Sequence, residues 1–422
     1  MTAADKLQVL LGTELVGELT PDELGRMTFT YAPEFLARPL RFPISASLPL
    51  REQPYAGGPG HAFFANLLPE GGVRTAVCGR FGISVDNDMG LLRAIGGECA
   101  GALAIVEPGT RPPAPEDYQY EALDQRRLRA LAEGDAFVPL LIGGAATRLS
   151  LAGAQDKLPV AIMDDNIMLP LGGAPSTHIL KLPHRVFKHV PANEAFVLGL
   201  AERVGLPVVK FELTRATGAL SLLVERYDRL LSSDPWPASR LHQEDLCQVF
   251  GLPATKKYEE EGGPTLAKVI DTLRGHVRQP VREVLRLIEW QAFNIVAGNS
   301  DGHAKNLSVL YDEAGPRLAP FYDLLSTRHY PRLDRRLAMG VANERDPDLV
   351  TRAAWEALSR ELQMTPRIVI EAARSVAERC LDVLSACKSD FRRRYGDEAI
   401  LQTLPRAIAA RARRAQRALT VG

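Results

Sequence analysis

The apolar positions of the first fifty residues fall in short runs separated by turn residues. Runs such as LQVLLG, LVGEL and MTFTYA alternate with Gly, Pro and Asp, a pattern that is typical of antiparallel strands. Residues 61–83 instead have apolar positions at helical spacing, interrupted by PEGG at 69–72. The pattern predicts a β-rich beginning of the chain, from about Leu7 to Leu50, followed by two short helices.

The middle of the chain returns to strand-like runs. A Pro-rich, acidic stretch at 107–120 is interpreted as a linker. Beyond it, KLPVAIM, IMLPLG and THILKLP alternate with turn residues and predict a small sheet over 157–183. Residues 193–208 show helical spacing that stops at Gly205 and Pro207. With further strands predicted in VVKFEL and SLLVERYD, the pattern indicates a compact lobe of one sheet and one helix.

The second half of the chain is dominated by helical periodicity. Four long runs, which begin VREVLRL, PDLVTRA, RIVIEAA and AILQTLP, have few strand signals between them. The sequence SSDPWPAS at 232–239 predicts a break before these helices. The expected fold class is α+β, with a β-rich N-terminal portion at 1–106, a small α/β lobe at 120–231 and a mostly helical lobe at 240–422.

Composition limits the possible classes of function. Lys and Arg together number 51, as do Asp and Glu, so no overall positive field would attract nucleic acid or an anionic membrane. The five cysteines are scattered and never spaced as Cys-x-x-Cys, which disfavours a disulfide framework and a zinc cluster. The N-terminus lacks a basic flank and a long apolar core, so neither a signal peptide nor a membrane span is predicted. The expected location is the cytoplasm.

The sequence NSDGHAKN places a cluster of hydrogen-bonding residues between two apolar segments. Asp301 and Asn306 in it have the spacing D-x-x-x-x-N, the interval of the kinase catalytic loop, in which the Asp positions the acceptor hydroxyl and the Asn holds Mg²⁺. The interval alone is weak evidence, because Gly302 would also suit an ordinary turn between two helices. No second His or Cys lies at ligand spacing from His303, so a hydrogen-bonding role in the loop is expected for it.

A second acid follows this loop. Asp323 lies in LAPFYDLLST, after the predicted strand LSVLYD and the turn EAGP. This hairpin would bring Asn306 and Asp323 together as oxygen ligands, which suits Mg²⁺ because it binds through one or two protein groups plus phosphate oxygens. Asp323 would also suit the N-cap of a helix in LLSTRHY, and the two interpretations are compatible.

Two features further upstream would suit a bound phosphate. Lys181 lies within the apolar strand THILKLP, where an ammonium needs an anion, such as a nucleotide phosphate held jointly with the carboxylate of Glu194. The alternative is a lysine at a sheet edge that extends into solvent. The backbone N–H groups of LSLAGAQDKLPV at 149–160 would bind phosphate, although an ordinary turn explains Gly153 equally well. No Walker A or G-x-G-x-x-G sequence occurs in the chain.

Arginines make the last predicted helix basic. They are interpreted as a solvated face, with contact to nucleic-acid phosphates as the alternative. These residues are Arg406, Arg411, Arg413, Arg414 and Arg417.

In their order along the chain, these segments resemble the HipA family of bacterial serine/threonine kinase toxins. The resemblance covers most of the chain and lies in LSLAGAQDK, HILKLP, LLVERYDR, NSDGHAKN and FYD. It implies a kinase-like small lobe and a helical catalytic lobe, distantly similar to protein kinases and PI kinases. It also implies that the protein uses ATP and Mg²⁺.

The resemblance implies roles for individual residues. Asp301 would be the catalytic base, with Asn306 and Asp323 as the Mg²⁺ ligands. Lys181 would contact phosphate, with Glu194 as its possible partner. Ser150 would be the autophosphorylation site, and its modification would expel the loop and silence the enzyme.

Further residues are assigned to the nucleotide site by the same resemblance. The backbone around Glu225 and Tyr227 would hold adenine, with Asp228 nearby. The other assigned residues are Ser150, Ala152, Gly153 and Lys157 in the phosphate-binding loop, and His303 and Lys305 in the catalytic loop.

The resemblance also implies partners. A small helix-turn-helix antitoxin would bind the toxin and DNA together, so that DNA is contacted mainly through the antitoxin. The substrate would be a serine of a protein, an aminoacyl-tRNA synthetase in known family members, and its phosphorylation would arrest growth. Two alternatives remain open: a catalytically vestigial co-repressor that binds the antitoxin, and a small-molecule kinase, since D-x-x-x-x-N followed by Asp also serves such enzymes.

Overall fold

The computed structural model describes residues 6–39, 41–133, 157–184, 186–231 and 239–420. The described strands are β1 Leu7–Leu11, β2 Glu14–Pro21, β3 Met27–Tyr31, β4 Leu103–Val106, β5 Gln119–Ala122, β6 Lys157–Met163, β7 Asn166–Leu171, β8 His178–Lys181, β9 Phe211–Thr214, β10 Ser221–Glu225, β11 Arg229–Leu230, β12 Ser239–Arg240, β13 His242–Asp245, β14 Ser308–Asp312 and β15 Gly315–Leu318.

The described α-helices are α1 Pro33–Leu36, α2 Gly58–Ala65, α3 Gly71–Phe81, α4 Asp88–Ile95, α5 Gln125–Glu133, α6 Val190–Val204, α7 Leu246–Val249, α8 Leu266–His276, α9 Pro280–Ala297, α10 Arg352–Glu361, α11 Pro366–Tyr395 and α12 Leu404–Thr420. Short 3₁₀ helices cover Pro115–Asp117, Ala254–Lys256, Glu259–Glu261, Ala304–Asn306, Thr327–His329 and Ala399–Gln402.

These elements confirm the α+β fold class. The two short helices predicted within 61–83 are α2 and α3. Pro69 and Glu70 of the predicted break lie between them, whereas Gly71 and Gly72 begin α3. The first three strands end at Tyr31, earlier than the predicted Leu50, and the chain then continues through α1 into a segment without regular structure. None of the helices in the described ranges is both long enough and apolar enough to cross a bilayer.

The described chain groups into two compact units, each made from segments that are apart in sequence. The first unit comprises Met1–Leu182, Thr214–Ala254 and Leu310–Asp312, and the second comprises Pro183–Leu213, Thr255–Val309 and Glu313–Gly422. The segment at 107–120 belongs to the first unit, and 232–238 lies outside the described residues. The three segments expected from the sequence stay a prediction.

The first unit begins with a four-stranded sheet in the order β3-β2-β1-β4. Alternate residues of β3 are buried, as expected for a strand with one face against a core. Tyr31 ends this strand with its ring buried, and its hydroxyl donates to Leu48 O at 2.6 Å and accepts from Ile44 N–H at 3.1 Å. One buried tyrosine therefore fixes the irregular segment that follows the sheet.

A second sheet in this unit contains the predicted strands of 157–183. The strands of this sheet that belong to the first unit run in the order β5-β7-β6-β8-β10, and every pairing among them is antiparallel. Between β6 and β7 the turn residues Asp164 and Asp165 have φ values of 48° and 61°. Positive φ at both central residues is the condition for a type I′ hairpin turn, and Asp tolerates it better than most residues.

The second unit is built from packed helices around aromatic side chains. α9 packs against α8, α11 and α12, and α6 packs against α11. Trp290 and Phe293 of α9 are fully buried, and the Trp290 ring lies 6.1 Å from that of Phe321. Phe196 of α6 contacts Phe391 of α11 edge to face, at 5.7 Å between ring centroids. The helices predicted in the second half of the chain thus bury aromatic side chains where they pack.

A buried ion network crosses the first unit. The Arg226 guanidinium donates to Glu98 Oε1 at 2.8 Å and to both carboxylate oxygens of Asp228, at 3.0 and 2.8 Å. Arg229 pairs with the same two acids, and Gly101 N–H donates to Asp228 Oδ2 at 2.7 Å. Burial opposes ionisation of Asp228, but Arg226 and Arg229 outweigh it and hold the pKa of this carboxyl well below its usual range.

A second buried acid in this unit has only neutral partners. Ser45 Oγ and Ala46 N–H donate to the Glu244 carboxylate at 2.5 and 3.1 Å, and the Tyr311 hydroxyl donates at 2.5 Å. Burial raises the pKa of Glu244 to about 7 in spite of these hydrogen bonds. Neutral donors therefore compensate only part of the cost of burying this carboxylate.

We expect Arg226→Ala to destabilise the protein by about 3–5 kcal/mol, because it leaves buried acids without one of their two cations. Urea unfolding of the full chain measures this change. The matched control is Arg127→Ala, which removes a partly exposed pair with Glu121 and should cost less than about 1 kcal/mol. Equal losses for the two variants would contradict a structural role for the network.

We expect Glu244→Gln to change the pH dependence of stability. The folded-state pKa of about 7 lies above the ordinary 4.5, so the contribution of Glu244 is complete below about pH 4.5 and is lost as pH rises through about 7. The unfolding free energy of the wild type should fall over this window by at most about 3 kcal/mol relative to Glu244→Gln. Urea titrations at several pH values test this, with the exposed Glu116→Gln as control. Parallel curves for all three proteins would refute it.

Candidate active site

The polar sequence NSDGHAKN begins where α9 ends. Gly298 has a φ of 74°, and its N–H donates to Asn294 O at 2.9 Å, while Asn299 N–H donates to the same carbonyl at 2.8 Å. This left-handed turn is the usual end of a helix at a glycine. A Cβ on Gly298 would also lie 2.7 Å from the guanidinium carbon of Arg411. The left-handed backbone and the nearby Arg411 guanidinium therefore require glycine at position 298, where the loop begins.

The first polar residues of the loop hold its backbone. Asn299 is buried, and its amide donates to Asn294 Oδ1 at 3.0 Å and accepts from Asp301 N–H at 3.1 Å. Ser300 N–H donates to Thr327 Oγ1 at 2.8 Å, and Ser300 Oγ donates to Arg335 O at 2.9 Å. These side chains fix the loop from within.

Asp301, in contrast, is exposed. Its Oδ1 accepts a hydrogen bond from the hydroxyl of Tyr258 at 2.8 Å, and its backbone carbonyl accepts from His303 N–H at 2.9 Å. The next residue, Gly302, is tightly enclosed, since a Cβ there would lie 2.8 Å from Asn294 Nδ2 and 3.1 Å from the Trp290 ring. The loop backbone at Gly302 thus lies close against the buried side chains of α9, while the Asp301 carboxylate stays at the surface.

Asn306 and Asp323 are neighbours, as the predicted hairpin requires. β14 and β15 flank the turn at Glu313 and Ala314, and Asn306 Nδ2 donates to Asp323 Oδ2 at 3.3 Å. Asn306 Oδ1 accepts from His303 N–H at 3.1 Å. The loop and the second acid therefore form one cluster within the second unit.

The backbone conformation of Asp323 overturns one interpretation of this residue. Asp323 has a φ of 53°, a left-handed conformation that costs energy for a residue with a side chain. No helix begins at Leu324, since the short 3₁₀ helix starts only at Thr327, with Ser326 before it. The N-cap interpretation of Asp323 is wrong. Its conformation is imposed by the surrounding structure, which is common at functional sites.

Asn193 of α6 fixes the segment that follows Asp323. Its side-chain amide accepts from Ser326 N–H at 2.9 Å and donates to Ser326 O at 3.1 Å. Asn193 is completely buried. Ser326 is therefore held at both of its backbone polar groups by a helix that is distant in sequence.

Tyr322 joins the two halves of the cluster. Its hydroxyl donates to Lys305 O at 2.8 Å and lies 2.7 Å from Ser308 Oγ. His303 and Lys305 are both buried, and the ring of His303 meets that of Tyr258 edge to face at 5.1 Å. The hydrogen-bonding role expected for the His303 side chain stays a prediction.

The cluster fits a magnesium ion by its donor atoms. Asp323 is partly exposed, and the carbonyl oxygen of the Asn306 amide keeps a second lone pair beside the one that faces His303 N–H. Carboxylate and amide oxygens suit Mg²⁺, which is bound by few protein groups. Among the described residues there is no group of three or more His, Cys, Asp or Glu side chains that could hold a metal ion.

In the first unit, β8 places Lys181 directly opposite Lys157 of β6. Lys181 is buried, and Lys157 is half-buried. Like charges at facing positions of antiparallel strands repel each other. Phosphate binding by Lys181 stays a prediction. Glu194, which lies buried on α6 of the second unit, stays a predicted partner.

The motif LLVERYDR has a structural role that the sequence did not reveal. Arg226, Asp228 and Arg229 form the buried ion network with Glu98, so the carboxylate of Asp228 has its partners within the unit. The Tyr227 hydroxyl donates to Gln243 Oε1. An adenine contact by the backbone near Glu225 and Tyr227 stays a prediction. Ser150, Ala152 and Gly153 lie outside the described residues.

Two contacts in the second unit were missed because no sequence pattern signals them. Tyr258 precedes Asp301 by 43 residues and lies in no motif. The interpretation of the arginines of the last helix as a solvated face is wrong for Arg411 alone. Its guanidinium donates to Val296 O at 2.9 Å and to Ala297 O at 2.6 Å, whereas the others are exposed. These others are Arg406, Arg413, Arg414 and Arg417.

Comparison with known proteins gives matches over nearly the whole chain. Models of the HipA N-terminal domain and the HipA-like C-terminal domain match residues 7–106 and 149–384. A Sinorhizobium fredii protein named "Putative kinase Y4mE" is 37% identical over 411 residues, which cover 96% of this chain and 97% of that protein. The "Serine/threonine-protein kinase toxin HipA" of Shewanella oneidensis is 29% identical over 391 residues, covering 88% of this chain and 87% of that protein.

A solved structure is similar as well. A chain in the structure of the Shewanella oneidensis MR-1 toxin–antitoxin system, with HipA, HipB and operator DNA, matches with a TM-score of 0.84 and 26% sequence identity. The match covers 99% of this chain and 100% of that chain. Domain models, relatives and fold agree over both halves, and this chain therefore belongs to the HipA family.

Proposed function

We propose that this protein is an ATP-dependent serine/threonine protein kinase and the toxin of a toxin–antitoxin module. The observation that carries the proposal is the contact of 3.3 Å between Asn306 and Asp323, in a loop that also presents the exposed carboxylate of Asp301. A kinase needs this set of groups, because phosphoryl transfer depends on positioning and on stabilisation of charge. The kinase names of the relatives support the same activity.

Each residue of the cluster has a separate task in this proposal. Asp301 is the catalytic base and orients the hydroxyl of the acceptor serine, while the Tyr258 hydroxyl keeps its carboxylate in one orientation. Asn306 and Asp323 hold Mg²⁺. The bound ion, when present, neutralises charge on the phosphate oxygens of ATP. His303 and Lys305 contribute to nucleotide binding.

Residues of the first unit contribute to nucleotide binding. Lys181 contacts the phosphates of ATP, and its neighbour Lys157 adds a second positive charge. Ala152 and Gly153 bind phosphate through their backbone, and Ser150 of the same loop is the site of autophosphorylation.

The family suggests the partners of this chain. The Shewanella oneidensis structure contains HipA with HipB and operator DNA. We propose that the present chain likewise binds a small DNA-binding antitoxin and acts with it as a co-repressor in the cytoplasm. Its substrate is a serine of a translation-related protein, of the aminoacyl-tRNA synthetase class.

We expect Asp301→Asn to lower the rate of phosphoryl transfer by about 10²–10⁴-fold, because an amide cannot serve as the base. Since Asp301 is exposed, and an amide oxygen still accepts from Tyr258, the fold should be retained. Labelled ATP and Mg²⁺ are incubated with the protein, alone and with a bacterial lysate, and mass spectrometry locates the phosphosites.

The control for this experiment is Asp382→Asn, an exposed acid on α11. Label on Ser150 and on one lysate protein, absent only with Asp301→Asn, would support the proposal. A folded wild type that binds ATP without transferring phosphate would indicate a vestigial kinase that acts as co-repressor. Label only on small molecules of the lysate would indicate a small-molecule kinase.

We expect Tyr258→Phe to lower the transfer rate by about tenfold with little change in the KM for ATP. Loss of one hydrogen bond to a charged group costs about 1.5 kcal/mol, which corresponds to this factor. Initial rates at varied ATP concentration measure both constants, and Tyr118→Phe in the first unit is the control. Wild-type rates for Tyr258→Phe would show that the hydroxyl does not orient the base.

A further inference from the structure

The last helix reaches the end of α9 through Arg411. Helix ends leave carbonyl groups without intrahelical partners, and they carry a partial negative charge. The Arg411 guanidinium donates to two of these, Val296 O at 2.9 Å and Ala297 O at 2.6 Å. Arg411 thus caps the helix whose next residue, Gly298, opens the catalytic loop.

The same guanidinium also contacts the segment that follows Asp323. Its third contact is with Ser326 Oγ, at 3.3 Å. Ser326 is the residue that Asn193 holds at both backbone polar groups. One side chain of α12 therefore links the chain before Asp301 with the chain after Asp323.

A second residue of α12 acts on the same region. Arg414 pairs with Asp348 at 2.5 Å, and Asp348 forms two contacts with the Arg328 guanidinium, at 2.9 and 2.7 Å. The backbone N–H of Arg328 donates to Gly298 O at 3.0 Å. Arg414 and Asp348 thus hold the side chain of the residue whose backbone contacts the carbonyl of Gly298.

The chemistry requires arginine at position 411. A planar guanidinium can donate to two adjacent carbonyls and a hydroxyl at once, whereas an ammonium on a flexible stem has no fixed fork. Space also matters, because the guanidinium carbon lies 2.7 Å from where a Cβ of Gly298 would be. Arg411 therefore contacts the end of α9 by hydrogen bonds and also by close packing against Gly298.

We propose that Arg411 is a positioning residue for phosphoryl transfer, which fixes the placement of the Asp301 loop relative to the Asp323 segment. The proposal rests on the proposed kinase function. It gives Arg411 a role in the reaction through the backbone of the loop, on which its guanidinium acts. A small displacement of positioned groups is enough to slow such a reaction strongly.

The test compares Arg411→Ala, Arg411→Lys and the control Arg413→Ala, which changes an exposed arginine of the same helix. We expect Arg411→Ala to lower kcat by about tenfold to a hundredfold, with the KM for ATP changed by less than about twofold. Arg411→Lys should recover only a small part of the rate. Guanidinium ion at a non-denaturing concentration should restore part of the rate of Arg411→Ala and leave Arg411→Lys and Arg413→Ala unchanged.

Hydrogen exchange of the backbone provides a readout that needs no activity. In Arg411→Ala the amides of 298–306 should exchange faster than in the wild type, and guanidinium ion should slow them again. Unchanged exchange there, or a fall in kcat that guanidinium ion does not reverse, would overturn the proposal. If the wild type transfers no phosphate, the kinase function fails, and exchange still decides whether Arg411 holds the loop.

Discussion

The end of α9 at Gly298 is the constraint on which the polar loop depends. The left-handed turn, with a φ of 74°, ends the helix and begins the polar loop. Gly302 repeats the requirement four residues later, since the Trp290 ring and the Asn294 amide leave no space for a side chain. Because the loop backbone lies this close to buried side chains, the side chains of the polar residues between and after these glycines point in fixed directions.

Within this frame the polar residues have two different kinds of task. Asn299 and Ser300 are buried and satisfy backbone groups, so they stabilise the loop. Asp301 is exposed and Asp323 is partly exposed, whereas Asn306, which contacts Asp323, is buried. The hydrogen bonds within the loop therefore support a few accessible carboxylates, an arrangement that suits phosphoryl transfer.

Charged side chains of the first unit lie close together at two places. Glu98 and Asp228 are buried with Arg226 and Arg229, and these charges pair within the unit. On β6 and β8 the register sets Lys157 opposite Lys181. The ion network gives the charges of LLVERYDR a structural role, whereas phosphate binding by the two lysines stays a proposal.

The sequence determined the elements and the chemistry of the site, because both depend on residues close together in the chain. Helical periodicity in the run that begins VREVLRL predicted α9, and D-x-x-x-x-N with a hairpin predicted that Asn306 and Asp323 would meet. Only the tertiary structure decided the contact of Tyr258 with Asp301, the left-handed conformation of Asp323 and the capping of α9 by Arg411. These depend on distances between segments remote in sequence, which are set by how helices pack and which no local pattern records.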